Sequence, residues 1–327
     1  MNIQRWVARR EQSWNQLHDL LQQAERKGIQ SLSAGEIETL ASLYRSVSAD
    51  LARARTHQVG ELIVRNLQSL ATRSYTQIYQ GSRRQEWHAV RDFFWWGFPA
   101  VVQQSRGYIA LSVVLFGVAG LVSWWFAWRD PTFLALIVPP ELISQVRDRQ
   151  ELWTGSIVGT EPFASTNIMI NNIRVTFNVL AGGMTAGILT TYIVLLNGVL
   201  IGAIGALVGQ NNLAFPFWAF VFPHGALELP AIFMSAGAGF LLAKAIVFPG
   251  KYRRVDALKQ YGQQAAQLMF GVVPLLVIAG MIEGFFSPNP AIPDVLKYVT
   301  GIILFICLIR YLGRKPIAAK NVNFRQT

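Results

Sequence analysis

The chain has 327 residues, 52% of them hydrophobic and only 14% charged, against roughly 25% charged in an average soluble domain. Its net charge is +11, and the basic residues sit in loops beside long apolar runs, which points to an anionic lipid surface and away from nucleic acid. Nothing in this composition resembles a soluble enzyme, and one cysteine, Cys307, inside an apolar run leaves no intrachain disulfide framework or thiolate metal site.

Charged residues concentrate between Met1 and Arg106, and the regime changes near residue 107. The opening residues to Trp14 contain no apolar core of signal-peptide length, so the first transmembrane segment is expected to direct insertion. From Trp14 to Lys27, Leu17, Leu20, Leu21 and Ala24 form one helical stripe that Gly28 ends. Ser33 followed by Glu36 is a capping-box pattern announcing a second helix with the stripe Leu40, Leu43, Tyr44, Val47, Leu51 and Ala54. A third helix, near Val59 to Tyr79, offers Ile63, Leu67, Leu70 and Ile78 and stops at Gly81. Three stripes without strand-like alternation predict a small cytoplasmic helical domain over 1–85. His18, His57 and His88 lack ligand spacing and read as surface or packing residues.

Residues 86–106 differ. Val90, Phe93, Phe94, Trp95, Trp96, Phe98 and Val101 interleave with Arg91 and Asp92, and Arg83, Arg84 and Arg106 flank them. This predicts an amphipathic interfacial helix, with rings at headgroup depth and arginines on lipid phosphates; a fourth bundle helix is the alternative.

A spanning helix needs about 20 apolar residues. Tyr108–Trp128, Val175–Leu196, Leu227–Val247, Leu268–Phe286 and Val295–Leu312 qualify. Asn197–Phe222 is ambiguous, being glycine-rich, broken at Gly209 to Asn212 and resumed across Pro216. Lys and Arg in short loops mark the cytoplasmic side. The N-terminal third, the loop with Lys251, Arg253, Arg254 and Lys259, and the tail 314–327 with Arg314, Lys315, Lys320 and Arg325 are basic, whereas Arg129 to Asn167 carries more acids than bases. An even number of crossings must precede Lys251. The expectation is therefore an all-α polytopic membrane bundle over 107–313 with about six segments, the third broken or re-entrant, both termini cytoplasmic, in a bacterial inner or internal membrane.

Small residues recur at Gly182, Gly183, Gly198, Gly202, Gly205, Gly237 and Gly239, a spacing that lets helix backbones approach closely in lipid. The second to fourth segments should form the tight core, with the first and last two peripheral, and a homo-oligomer, a dimer, is expected. Ionisable groups at membrane depth are costly and call for an explanation. His224 and Glu228 stand four apart in Pro-His-Gly-Ala-Leu-Glu-Leu-Pro, Arg174 follows Asn171 and Asn172 into the second segment, and Glu283 leaves the fifth. One polar cluster at the outer end is expected, with Arg174 neutralising Glu228 or Glu283 and His224 completing it, either as a docking ion pair or as a binding or proton-relay site. One His and one or two carboxylates fall short of the usual three protein ligands of catalytic zinc, so no metal or other cofactor is expected. Asn197, before Gly198, reads as a helix break or interhelical hydrogen bond, and Lys244 as a snorkelling anchor.

At Asn171-Asn172 with Arg174, the glycines after Ala181, Leu196-Asn197-Gly198 with Gly202, and His224-Gly225 with Glu228-Leu229-Pro230-Ala231, the chain resembles the stage II sporulation protein M family, also catalogued as a domain of unknown function. The resemblance covers roughly Asn171 to Val247. It implies a multi-pass protein that in spore formers works with peptidoglycan-degrading partners and is thought to organise them, and it makes His224 and Glu228 a family signature. Together these readings give a non-enzymatic membrane scaffold or membrane-organising protein that contacts anionic lipid, self-associates and assembles membrane or envelope proteins. The alternative is a channel or transporter with an outer-side polar site.

Overall fold

The computed structural model describes residues 3–80, 83–153 and 161–314. Gly81 and the tail residues Lys315, Lys320 and Arg325 lie outside the described residues, as do the side chains of Arg83 and Arg84. The chain divides into two compact units between Phe93 and Phe94.

The first unit is helical throughout its described elements: α1 (Ile3–Lys27), α2 (Ala34–Thr56), α3 (Glu61–Tyr75) with a π-helical turn at Thr76–Gln80, and α4 (Arg83–Asp92). The first helix begins near the N-terminus, well before Trp14. Gly28, at φ 85°, ends it, and the Ser33 capping box forms, with Glu36 Oε2 accepting from the Ser33 amide at 2.7 Å. Leu17, Leu21, Ala24, Leu40, Val47, Ala54, Leu67 and Leu70 make the core, so the three stripes meet each other. Between Val47 and Ala54 on the same stripe sits Asp50, fully buried. It accepts from Arg10 Nε at 2.7 Å and Trp14 Nε1 at 3.0 Å, tying α2 to α1. Arg73 grips Glu25 through one guanidinium edge, Nε donating to Oε1 at 2.8 Å and Nη2 to Oε2 at 2.9 Å. That hydrogen-bonded cation holds the Glu25 carboxyl below its ordinary range.

The second unit opens with a π-helical turn (Phe93–Gly97) and α5 (Phe98–Gln104), followed by α6 (Arg106–Arg129), α7 (Pro131–Ile137), α8 (Pro140–Asp148), α9 (Glu161–Ala181), α10 (Ile188–Gln210), α11 (Ala214–Val247), α12 (Arg254–Met281) and α13 (Asp294–Leu312). Five helices are long and apolar enough to cross a membrane: Arg106–Arg129, Ile188–Gln210, Ala214–Val247, Arg254–Phe286 and Asp294–Leu312. Helix α9, whose 21 residues rise about 31 Å, is not among them and carries Asn171, Asn172, Arg174 and Asn178.

The breaks fall elsewhere than expected. Asn197 lies inside an unbroken α10, and the chain turns instead at Gly182–Gly187 and at Asn211–Leu213. The first turn is a short 3-10 segment closed by Ala186 and Gly187 in left-handed conformation, at φ 55° and 83°. Thr185 Oγ1 then accepts from the Leu189 amide at 3.0 Å, supplying α10 with one of its missing first-turn partners. A Cβ on Gly183 would lie 2.8 Å from the carbonyl carbon of Gly239, so the turn is pressed against α11 and only glycine fits.

Contacts along the helices give their directions. Ser123 Oγ donates to Val199 O at 2.7 Å and Gln210 Nε2 to Trp128 O at 2.7 Å, so α6 and α10 run parallel. Ser112 Oγ donates to Phe233 O at 3.0 Å and Gly237 abuts Ile109, so α11 runs opposite to α6. Alternation continues through α12 and α13. Arg106, the Lys251–Lys259 loop and Arg314 consequently gather at one end, and Asp130, Glu141, Asp148 and Glu151 at the other.

Two expectations need correcting. The fifth segment is not peripheral: α12 packs along α11 and buries Leu268, Val272, Leu276 and Ala279, whereas α6 stays at the edge with Leu111, Val114, Val118 and Leu121 exposed and only one side, at Gly120, pressed onto α10. Within the expected interfacial stretch, Phe98 is 1% exposed, is wedged against Gly271 of α12 and belongs to the bundle with Val101. Gln103 Nε2 donates to Leu312 O at 2.8 Å, fastening α5 to the end of α13. Trp95 and Trp96 remain exposed, with the Arg314 guanidinium over the Trp95 ring at 4.7 Å. Arg91, exposed, pairs with its neighbour Asp92 at 3.0 Å, and Arg106 is exposed at the start of α6.

Candidate functional site

Helix α11 is the most deeply buried element of the membrane unit, and two prolines, one a third of the way along and one at its middle, interrupt its hydrogen bonding. Pro223 and Pro230 carry no amide proton, so the carbonyls of Ala219 and Ala226 lose their intrahelical donors. Between them His224 and Glu228, one turn apart, point from the same face. Glu283 approaches from a π-helical turn, Ile282–Phe286, at the end of α12, a distortion that recurs at functional sites.

The three side chains converge, their ligand-type atoms all lying within 4.8 Å of one another. His224 Nε2 is 3.8 Å from Glu283 Oε1, too far for a hydrogen bond. Its Nδ1 is 3.2 Å from Ser287 Oγ, and its ring meets Phe220 edge-on at 5.5 Å. Glu283 Oε2 is buried without a hydrogen-bond partner among the described residues. Beside this cluster opens a cleft of about 280 Å³ that also takes in Asn172 of α9 and Asn197 of α10, walled by Phe116, Leu200, Ile204 and Val221. Asn197 donates through Nδ2 to Ile193 O at 2.8 Å, which leaves its amide oxygen for the cleft.

Arg174 does not neutralise either glutamate. It is exposed and joins none of the ion pairs among the described residues. The reason is helical phase: Asn172 faces the cleft, and a residue two positions on is rotated about 200° to the opposite side. Asn171 is likewise exposed. Gly225 is buried but meets only Val221 of its own helix, at 3.5 Å, so no close helix approach depends on it. Ser287, which orients His224, lies one turn beyond Glu283; that spacing was visible in the sequence but not that both residues reach His224. Of the packing glycines, Gly182, Gly183, Gly198, Gly202, Gly237 and Gly239 sit where a Cβ would crowd another element, whereas Gly205 has ordinary room, 3.5 Å from Trp218.

A larger groove, about 440 Å³, lies in the helical unit and is lined by Glu11, His18 and Arg73. Arg73 is already committed there to Glu25, so the groove offers less unmet charge than the membrane cleft.

Residues 112–288, more than half of the chain and all of the cluster, match the model of the family described as Stage II sporulation protein M. The chain belongs to the Stage II sporulation protein M family. Within this Stage II sporulation protein M region lie α10, α11 and the π-helical turn bearing Glu283. Residues 4–80 match a second family, described as a domain of unknown function. An uncharacterized protein of Methanocaldococcus jannaschii is 30% identical over 131 residues, 39% of this chain and 74% of that protein. No solved structure matches the chain.

Proposed function

We propose that this membrane protein admits a small polar or charged solute into the cleft beside α10 and α11, as a channel or carrier does. The supporting observation is convergence: one cleft brings His224, Glu228 and Glu283 together with Asn172 of α9 and Asn197 in the middle of α10. Interrupted backbone borders it, at Pro223, Pro230 and the π-helical turn, and membrane transporters place their sites at such interruptions. A volume of about 280 Å³ corresponds to roughly nine waters at ~30 Å³ each, enough for a hydrated ion or small metabolite. The test is flux into vesicles reconstituted with the full chain, against a panel of small ions and polar solutes. Wild type should pass at least one, and Ile204→Trp, which fills the cleft, should cut that flux at least tenfold. Flux equal to protein-free vesicles for the whole panel would sink the reading.

A membrane-organising scaffold is the second reading. The observation that favours it is the separate helical unit, which matches a family of its own, together with the name of the family to which the membrane region belongs. In this reading the helical unit engages partner proteins, the basic end of the bundle faces the cytoplasm and anionic lipid of a bacterial inner membrane, and exposed apolar faces such as Leu121 of α6 meet a second copy or lipid. In-cell crosslinking and mild solubilisation should then recover a defined set of membrane or envelope proteins. Recovery of the chain alone would count against it.

A further inference from the structure

We infer that His224, Glu228 and Glu283 bind one first-row divalent transition cation at the mouth of the cleft. Three features of the geometry lead there, beyond the grouping itself.

First, the histidine is oriented as a ligand. Nδ1 lies 3.2 Å from Ser287 Oγ, and in the tautomer that carries its proton on Nδ1, Nε2 turns its lone pair toward Glu283 Oε1. Two acceptors then face each other at 3.8 Å with nothing of positive charge between them. A hydrogen bond would draw the pair to about 2.8 Å, whereas a tetrahedral metal with bonds of ~2.0–2.1 Å holds its ligand atoms roughly 3.3 Å apart. The observed separation is nearer the second. An outer hydrogen bond that sets the tautomer of the ring is also what metal-ligating histidines characteristically possess.

Second, the site has negative capacity and no fixed counter-charge. Glu283 Oε2 is buried and unpartnered among the described residues, Arg174 is exposed, and the buried Lys297, which shares a pocket with Ser287 and Phe220, is paired with Asp294 at 3.6 Å. Two carboxylates in an apolar surround call for a cation or bound protons. Third, the cleft supplies the positions that three protein ligands leave open, since it can hold water or solute directly against the cluster.

The ligand set chooses the ion. Carboxylates alone would suit Mg²⁺ or Ca²⁺, but an imidazole nitrogen favours Mn²⁺, Fe²⁺ or Zn²⁺. The ion as cargo rests on the solute-cleft reading; the ion as a bound group does not.

The test uses the tag-free full chain in detergent, stripped with a chelator and dialysed against Mn²⁺ or Zn²⁺ alone, with Mg²⁺ as the comparison. Wild type should take up one Mn²⁺ or Zn²⁺ per chain, and Glu228→Gln and Glu283→Gln should each weaken uptake at least tenfold. Pulsed EPR of bound Mn²⁺ should show imidazole nitrogen coupling that His224→Gln abolishes. Asn171→Ala, on the exposed side of α9, should bind as wild type does. Absence of stoichiometric uptake, or uptake unchanged in both glutamine variants, overturns the site; because these variants are isosteric, gel filtration separates lost binding from lost folding. The two readings fail separately. Stoichiometric binding without flux removes the carrier reading and keeps the ion site, and flux without stoichiometric binding does the reverse.

Discussion

The packing of α10 on α6 makes a sharp prediction for Gly202→Ala. A Cβ at this position would sit 2.9 Å from the carbonyl carbon and 3.0 Å from the Cα of Gly120, and closer still to its oxygen. Comfortable carbon–carbon contact is about 3.5–4.0 Å, so the helices must part by roughly 0.5–1 Å. Both partners are backbone and no rotamer change can relieve the overlap. A gap of that size forfeits a quarter to a half of each dispersion contact along the seam, and overpacking of this kind costs about 1–3 kcal/mol; a rigid backbone clash belongs at the upper end, about 3 kcal/mol. Gly205→Ala, one turn further along α10, is the internal control. Its Cβ would meet Trp218 at 3.5 Å and Trp124 at 3.9 Å, so its effect should stay within about 0.5 kcal/mol. The assay is reversible unfolding in mixed micelles, followed by tryptophan fluorescence and by steric trapping across α6 and α10. Equal stability of the two alanine variants would refute the close-approach argument.

Three further outcomes follow from the same structure. Gly183→Ala should disrupt the turn between α9 and α10 by a similar amount, because its Cβ would meet the Gly239 backbone at 2.8 Å and closer; increased proteolysis at 182–187 in detergent would report it. Asp50→Ala removes the acceptor of both Arg10 Nε and Trp14 Nε1; Arg10 is about one-third exposed and keeps Ser46, so the helical unit should lose about 1–2 kcal/mol, read as faster hydrogen exchange over α1 and α2 with α10 and α11 unchanged. For Glu25 the folded pKa lies below the ordinary value of 4.5 because of Arg73, so the folded state binds fewer protons. Its stabilisation is complete above about pH 4.5 and disappears as pH falls through the depressed value. The pair is about one-third exposed, which limits the effect to under about 1 kcal/mol, and the stability difference between wild type and Glu25→Gln should vanish at low pH.

Much of this architecture was legible because local rules and burial agree. The Ser33–Glu36 capping box, the stripes of α1 to α3 and the apolar lengths of α6, α12 and α13 all depend on neighbours within a turn or two, and periodicity records them directly. His224 and Glu228 share a face for the same reason, four residues being nearly one turn of helix. The all-α membrane class follows from the scarcity of charge, since a bilayer admits only backbone that satisfies its own hydrogen bonds.

What needed the tertiary structure was phase and partner. Composition marks Asn171, Asn172 and Arg174 alike as polar, yet only the rotation of α9 about its axis decides that Asn172 meets the cleft while Arg174 turns away. A π-helical turn adds a residue to its loop and shifts everything beyond it, so no helical count from Leu268 could aim Glu283 and Ser287 at His224. Glycines mark possible close approaches without naming the opposing surface: Gly120 meets Gly202 and Gly183 meets Gly239, but Gly205 meets nothing that crowds it. Asn197 looked like a break because glycines surround it, and the chain turned instead at Gly182–Gly187, where pressure from α11 makes left-handed backbone worth adopting. Local chemistry thus determined which segments become helices and which residues do not belong in lipid, while packing across segments, set by contacts far apart in the chain, determined which of those residues meet.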